Sequence, residues 1–205
     1  MHRIASGEGR IVIGTQMVTK GHDFPNVTLV VVLNADQGLF SADFRAPERL
    51  AQMIVQVAGR SGRGERPGEV LVQTEFPEHP LLTGLLTEGY EGFARTALAE
   101  RRAAAWPPFS RLAAVRDSAH TAAAALAFLT EARALAEGAR GVQLLGPVPA
   151  AMAKRAGRHH AQLLIESRER GGLHRFLETW LPRVQSLPSA RQVRWALDVD
   201  PIELF

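Results

Sequence analysis

The chain has no cysteine, and only two of its 24 basic residues are lysine. The first absence excludes disulfides and thiolate zinc sites. No apolar run reaches membrane-spanning length and no charged-then-apolar leader opens the chain. Membrane insertion and secretion are therefore disfavoured, and the expected compartment is the cytoplasm. There is no Gly-x-x-x-x-Gly-Lys-Ser/Thr phosphate loop, no internal repeat and no low-complexity segment. The preference for Arg favours bidentate phosphate contacts, although a GC-rich genome produces the same bias.

With 205 residues, 46% of them hydrophobic, the chain can bury one sizeable core or two small ones. Its charge is unevenly placed. Residues 1–105 carry 11 Lys+Arg against 12 Asp+Glu, whereas 106–205 carry 13 against 9. The second half is thus the more basic unit.

Short apolar runs at Ile11 to Ile13 and Val27 to Leu33 have the pattern of parallel strands buried on both faces. Pro47 suits a first helical turn, and Leu50, Met53, Ile54 and Val57 then recur at helical spacing. Arg49, Gln52 and Gln56 occupy the opposite face of that helix. Glu69 to Thr74 reads as the next strand, so residues 1–105 are expected to form part of a three-layer α/β sandwich. Pro80 to Ala105 is helix-forming, and Trp106-Pro107-Pro108-Phe109 marks a boundary. Beyond it, strands at 111–116, 142–145, 161–166 and 193–199 and helices at 119–137 and 173–187 predict a βαββαβ domain over 106–205.

The most informative stretch is Gln56-Val57-Ala58-Gly59-Arg60-Ser61-Gly62-Arg63. It sets two guanidiniums three residues apart at a helix end, an arrangement able to meet charge developing on a transferred phosphoryl group. Gln56 lies one turn before Arg60, and the glycines permit close backbone approach. Upstream, Thr15 and Gln16 follow a strand and can donate to a phosphodiester, while Asp23 can accept from a ribose hydroxyl or simply form a turn before Pro25. Phe40 to Arg45 is either an apolar loop on the core or a loop in which Phe44 stacks on a base and Arg45 holds phosphate. Lys154, Arg155 and Arg158 surround Gly157 in an expected loop, where they can neutralise phosphates without reading bases. Asp198 and Asp200 share a strand face, but no third ligand is evident, so turn and surface roles are expected and no metal site.

Gly14-Thr15, Lys20-Gly21-His22-Asp23-Phe24-Pro25 and Gln56 to Arg63 together resemble motifs V and VI of superfamily 2 helicases. Gly38 to Arg45, Glu48-Arg49, Glu78-His79-Pro80-Leu81, Pro107-Pro108-Phe109, Gly146 to Ala150, Lys154-Arg155 with Gly157-Arg158, and Asp198 to Pro201 extend the likeness along nearly the whole chain. In these residues it resembles the primosomal protein N′ (PriA) family of replication-restart helicases.

The resemblance implies a partial RecA-like second motor lobe followed by a small α+β DNA-binding domain. By it, Arg60 and Arg63 act on the γ-phosphate of ATP with Gln56 in support. Gly21, Asp23 and Gly59 line the nucleotide, and Thr15, Gln16, Arg45, Lys154, Arg155 and Arg158 contact DNA. ATP and Mg²⁺ would be held mainly by a first lobe absent from this chain, and the family's zinc would have no ligands here. Forked or single-stranded DNA, primosome proteins and single-strand DNA-binding protein are the implied partners. The chain is expected to begin partway through the second lobe and to be inactive as an ATPase by itself. Two functions follow: part of an ATP-dependent 3′–5′ DNA helicase acting in fork restart and primosome assembly, or a non-catalytic DNA- or primosome-binding module that keeps motor residues without turnover.

Overall fold

The computed structural model describes residues 11–14, 27–59 and 69–204. The fold is mixed α/β, and the chain divides into two compact units, 1–100 and 101–205.

In the first unit, Leu29–Val32 (β1) pairs in parallel with Glu69–Val72 (β2), Leu29 opposite Glu69 and Val32 opposite Val72. Between them in sequence come a single helical turn, Asp36–Leu39 (α1), and a longer helix, Ala46–Ala58 (α2). Pro47 sits in the first turn of α2, where its missing N–H costs nothing. One stripe of α2, formed by Leu50, Ala51, Ile54 and Val57, is buried with Val32, Leu39, Leu81, Leu82 and Phe93.

A second helical segment, Pro80–Ala103 (α3), is broken at Gly89, whose φ of 69° and ψ of −162° suit glycine alone. The two stretches pack through Gly84 and Gly92. A Cβ added at Gly92 would lie 2.7 Å from the Gly84 carbonyl oxygen and 2.5 Å from Glu88 Cβ.

Two expectations for this unit are corrected. Residues 11–14 form no strand, and Ile11 and Ile13 are 83% and 91% exposed. A strand exists through its neighbour's hydrogen-bond ladder, and among the described residues nothing pairs with this one. β1 is shorter than its apolar run and, among the described residues, is covered on one side only, so Leu29, Val31 and, on β2, Leu71 face outward about half exposed.

The second unit contains Arg111–Ala119 (β3), Ala122–Ala134 (α4), Gln143–Arg155 (β4), Arg158–Ser167 (β5), Arg170–Gln185 (α5), a 3₁₀ turn at Pro188–Arg191, and Arg194–Val199 (β6). This is the expected βαββαβ order. The strands form one antiparallel sheet in the order β4-β5-β3-β6, in which each βαβ pair is split by an intervening strand. Alternation decides the faces. Ala113, Val115 and Ala119 point to the helices with Leu163 and Ile165, and there they bury Phe128, Leu129, Leu173, Trp180 and Val184. Trp180 satisfies its indole N–H on the Ala132 carbonyl at 2.9 Å. Thr121 caps α4 by accepting from the Ala124 amide at 3.2 Å.

The largest correction concerns β4. Only 142–145 reads as strand from sequence, yet β4 runs to Arg155. Pro147 and Pro149, which cannot donate to a ladder, conceal it, and irregular register at Leu145/Val148 and Pro149/Lys154 accommodates them. β4 is also an edge strand, where proline is tolerated.

Candidate functional site

The first group of candidate residues lies at the end of α2. Gln56 is half-buried on the last full turn, and Gly59 ends the helix with its amide bonded to the Val55 carbonyl at 3.0 Å. Gly59 has a φ of −70°, and a Cβ there would meet the Val55 and Gln56 carbonyls at 3.4 and 3.9 Å. Among the described residues nothing therefore demands glycine at that position. Thr15, Gln16, Gly21, Asp23, Arg60 and Arg63 lie outside the described residues.

The opposite end of α2, about 20 Å away at 1.5 Å per residue, is organised by Asp43, which is 3% exposed. Its Oδ1 accepts from the Arg45 amide at 2.9 Å, and its Oδ2 accepts from Arg49 Nη2 at 2.7 Å. The Asp43 amide in turn donates to Ser41 Oγ at 3.1 Å. One buried carboxylate thus starts the helix and neutralises a cation on its first turn. Sequence reading places Arg49 on the polar face but misses this pairing, because the two residues are six apart and the carboxylate precedes the helix. Arg45 sets its guanidinium 5.6 Å from the centroid of the Phe44 ring, and Phe44 is half-buried.

A third cluster joins Phe40 and His79 through contacts that sequence reading does not report. Phe40, 56% exposed, meets Phe76, 48% exposed, edge to face at 4.7 Å, and it also lies 5.6 Å from the His79 ring. Asp36 organises both phenylalanines. Its carbonyl accepts the Phe40 amide, and its carboxylate accepts from Thr74 Oγ1 and from the Glu75 amide. Thr74 Oγ1 then accepts the Phe76 amide at 3.0 Å.

In the second unit, Lys154, Arg155 and Arg158 do not sit in a loop. They flank the two-residue turn Ala156-Gly157 of a β4–β5 hairpin, with Lys154 opposite His159 and Arg155 opposite Arg158. Ala156 and Gly157 have φ of 50° and 74°, the two left-handed conformations of a tight hairpin turn. Gly157 is the only sequence signal for it, and Ala in the first turn position hides the usual Asn-Gly signature.

Lys154 and Arg155 are exposed. Arg158 is half-buried: its Nε donates to Ser118 Oγ at 3.2 Å, its Nη2 to the Ser118 carbonyl at 2.6 Å, and its Nη1 lies 3.3 Å from His120 Nε2.

On the helix side of β3, Asp117 is 3% exposed. Its Oδ1 accepts the Ala161 amide at 3.2 Å, while Oδ2 has no hydrogen-bond partner among the described residues. Desolvation by burial raises its pKa from 3.8 to about 7, against a smaller lowering from the Ala161 bond. Asp198 pairs with Arg116 at 2.7 Å, and Asp200 adopts a turn conformation with φ of 55°. An open cleft of about 480 Å³ lies beside that pair, lined by Arg116, Asp198, Ile202 and Glu203. Among the described residues no helix is long and apolar enough to cross a membrane.

Comparison with known proteins follows the same division. Residues 1–65 match the helicase conserved C-terminal domain, and residues 102–202 match the primosomal protein N C-terminal domain. The chain is 45% identical over 203 residues to the replication restart protein PriA of Haemophilus influenzae, covering 98% of this chain and 28% of that protein. It is 36% identical over 205 residues to PriA of Rickettsia conorii, covering 100% of this chain and 31% of the relative. With PriA of Bacillus subtilis it shares 37% identity over 202 residues, 96% of this chain and 25% of that protein. The chain therefore spans less than a third of the length of these relatives. Matched in both its units and along nearly its whole length, it belongs to the PriA family of replication restart proteins, of which it represents the C-terminal portion.

Proposed function

We propose that this chain is the back half of an ATP-dependent 3′–5′ DNA helicase that acts, in the cytoplasm, on stalled or abandoned forks and in primosome assembly. The observation that carries this reading is α2, anchored at one end by the buried Asp43–Arg49 pair and ending at the other in Gln56 and Gly59, within a segment matched by a helicase domain model. A helix held at one end and packed along one side presents its far end at a fixed position. That is what guanidiniums need if they are to meet charge on a nucleotide bound elsewhere.

In this reading Arg60 and Arg63 act on the γ-phosphate with Gln56 in support. Gly21, Asp23 and Gly59 approach the nucleotide, and Thr15, Gln16 and Arg45 touch DNA. ATP and Mg²⁺ are held mainly by a first lobe that this sequence does not include, and zinc by another part of the full-length protein. Primosome proteins and single-strand DNA-binding protein are the proposed protein partners. The β4–β5 hairpin, which carries Lys154, Arg155 and Arg158, takes the phosphodiester backbone without regard to sequence.

The test is direct. The purified chain is expected to show no DNA-stimulated ATP hydrolysis above background, and turnover abolished by Arg60→Ala would overturn that expectation. The chain is also expected to bind DNA in a salt-sensitive manner, and unchanged affinity after combined Lys154→Ala and Arg155→Ala would refute the hairpin assignment. A second reading, a DNA- or primosome-binding module without turnover, is favoured by the self-contained core of the second unit. An upstream reading frame lacking a phosphate loop and a Mg²⁺-binding acidic pair would select it.

A further inference from the structure

Resting on the reading of residues 101–205 as a DNA-binding unit, we infer that its phosphate contacts form a strip on the outer face of the four-stranded sheet, from the hairpin tip to β6. In this strip Arg194 is a phosphate contact, and Arg158 is a positioning residue rather than a ligand.

Strand register fixes the strip. Val115, Asp117 and Ala119 of β3 lie on the helix side, so Arg116 and Ser118 lie on the outer side. Residues directly opposite in an antiparallel ladder share a face. Ser118 is opposite His160 on β5 and Arg194 on β6, which brings all three to the outer face. Arg158 is two positions from His160 on β5 and is opposite Arg155 on β4, so both arginines join that face. The four strands place Arg155, Arg158, Ser118 with His160, and Arg194 across three strand spacings, about 14 Å at roughly 4.8 Å each.

The charges along this strip differ in what they already do. Arg155 and Arg194 are exposed, and no carboxylate lies within ion-pairing distance of either among the described residues. Arg158 directs all three guanidinium nitrogens at Ser118 and His120. Those contacts tie the base of the hairpin to the end of β3, which is the strand that pairs with Arg194's strand. Arg158 thereby holds the Arg155 side of the strip in register with the Arg194 side.

Further down the same face the anion path closes. Arg116 is offset by Asp198 and donates to the Glu203 carbonyl, Gln162 and Leu164 are buried, and Leu204 is buried as well. A phosphodiester backbone is therefore directed to the hairpin end of the sheet.

The experiment uses the full 205-residue chain and a labelled single-stranded oligonucleotide, with binding measured by anisotropy over a salt series and folding checked by circular dichroism. Arg155→Ala and Arg194→Ala are each expected to weaken binding and to lower the slope of log affinity against log salt by about 0.7, the value for one phosphate contact on a single strand. Arg158→Lys keeps the charge but cannot make the three-point contact, so it is expected to bind as weakly as Arg158→Ala. Ser118→Ala should reproduce part of that loss, and adding it to Arg158→Ala should bring no further loss.

An unchanged salt slope in Arg194→Ala, beside a lowered slope in Arg155→Ala, would overturn the strip while leaving the DNA-binding reading intact. Wild-type binding by Arg158→Lys would overturn the positioning role and make Arg158 a ligand. A chain that does not bind DNA at all, or whose affinity survives combined Lys154→Ala and Arg155→Ala, would overturn the underlying reading instead. Should Arg158→Ala fail to fold, the Lys and Ser118 variants and the exposed Arg194 still decide the matter.

Discussion

The sheet of the first unit and the sheet of the second differ in what lies against them. β1 and β2 are parallel and apolar, yet Leu29, Val31 and Leu71 look outward with no layer over them among the described residues. Parallel sheets are ordinarily covered on both faces, because their strands are apolar on both. The antiparallel sheet of the second unit has helices packed on one face, and its core includes Phe128, Leu163 and Trp180 at full burial. The contrast teaches that strand composition can report a layer that the described residues do not themselves supply. Among the described residues the outward face of the first sheet is uncovered, whereas the helix side of the second sheet carries a closed core.

The sharpest way to break that contrast is to remove a residue central to the core of the second unit. Trp180→Ala is expected to cost about 3–5 kcal/mol, since it opens a cavity and leaves the Ala132 carbonyl unpaired. A thermal melt showing less than about 1 kcal/mol of loss would mean that Trp180 is not central to the second core. In the first unit the most sensitive point is a close approach of backbone rather than a large side chain. Gly92→Ala forces a methyl to 2.7 Å from the Gly84 carbonyl and should cost about 1–3 kcal/mol. The same melt checks it, and an unaffected midpoint would show that the two stretches of α3 can slide apart without penalty.

Asp117 adds a dependence on pH in the second unit. Its folded pKa, about 7, exceeds the ordinary 3.8, so the native state keeps a proton that the unfolded state releases. The associated stability is fully present below about pH 3.8, declines as pH rises, and is lost by about pH 7. Asp117→Asn should therefore raise the unfolding midpoint at pH 8 relative to the parent and flatten its pH profile, with little difference near pH 4. An identical profile in the two proteins would show that folding does not raise the Asp117 pKa. The smallest effect is expected at Leu71, where Ser in place of an outward-facing Leu should change chain stability by no more than about 0.5 kcal/mol. A loss of several kcal/mol there would show that this face is already covered.

Much of the architecture was legible in the sequence because periodicity and burial agreed there. The stripe of α2 and the βαββαβ order of the second unit are such cases. Where they disagreed, the sequence misled. Ile11 to Ile13 has the composition of a buried strand without a described partner, and β4 is a strand whose prolines say otherwise. The candidate site was legible as residue types but not as roles. Lys154, Arg155 and Arg158 look alike in a string of letters, and only the hairpin register and the Ser118 bonds separate an exposed cation from a committed one. The Asp43–Arg49 pair and the bridging of Phe40 and Phe76 through Asp36 join residues six and more positions apart, which no local pattern reports.

The Ala156-Gly157 turn has a bearing on how this arm can change over evolution or by engineering. A two-residue turn has no slack, so an inserted single residue would either bulge out or rotate every cation beyond it to the opposite face. The arm can be lengthened without exchanging its faces only by adding two residues to each strand, which extends it in steps of about 7 Å. Its reach is therefore stepped rather than continuously adjustable.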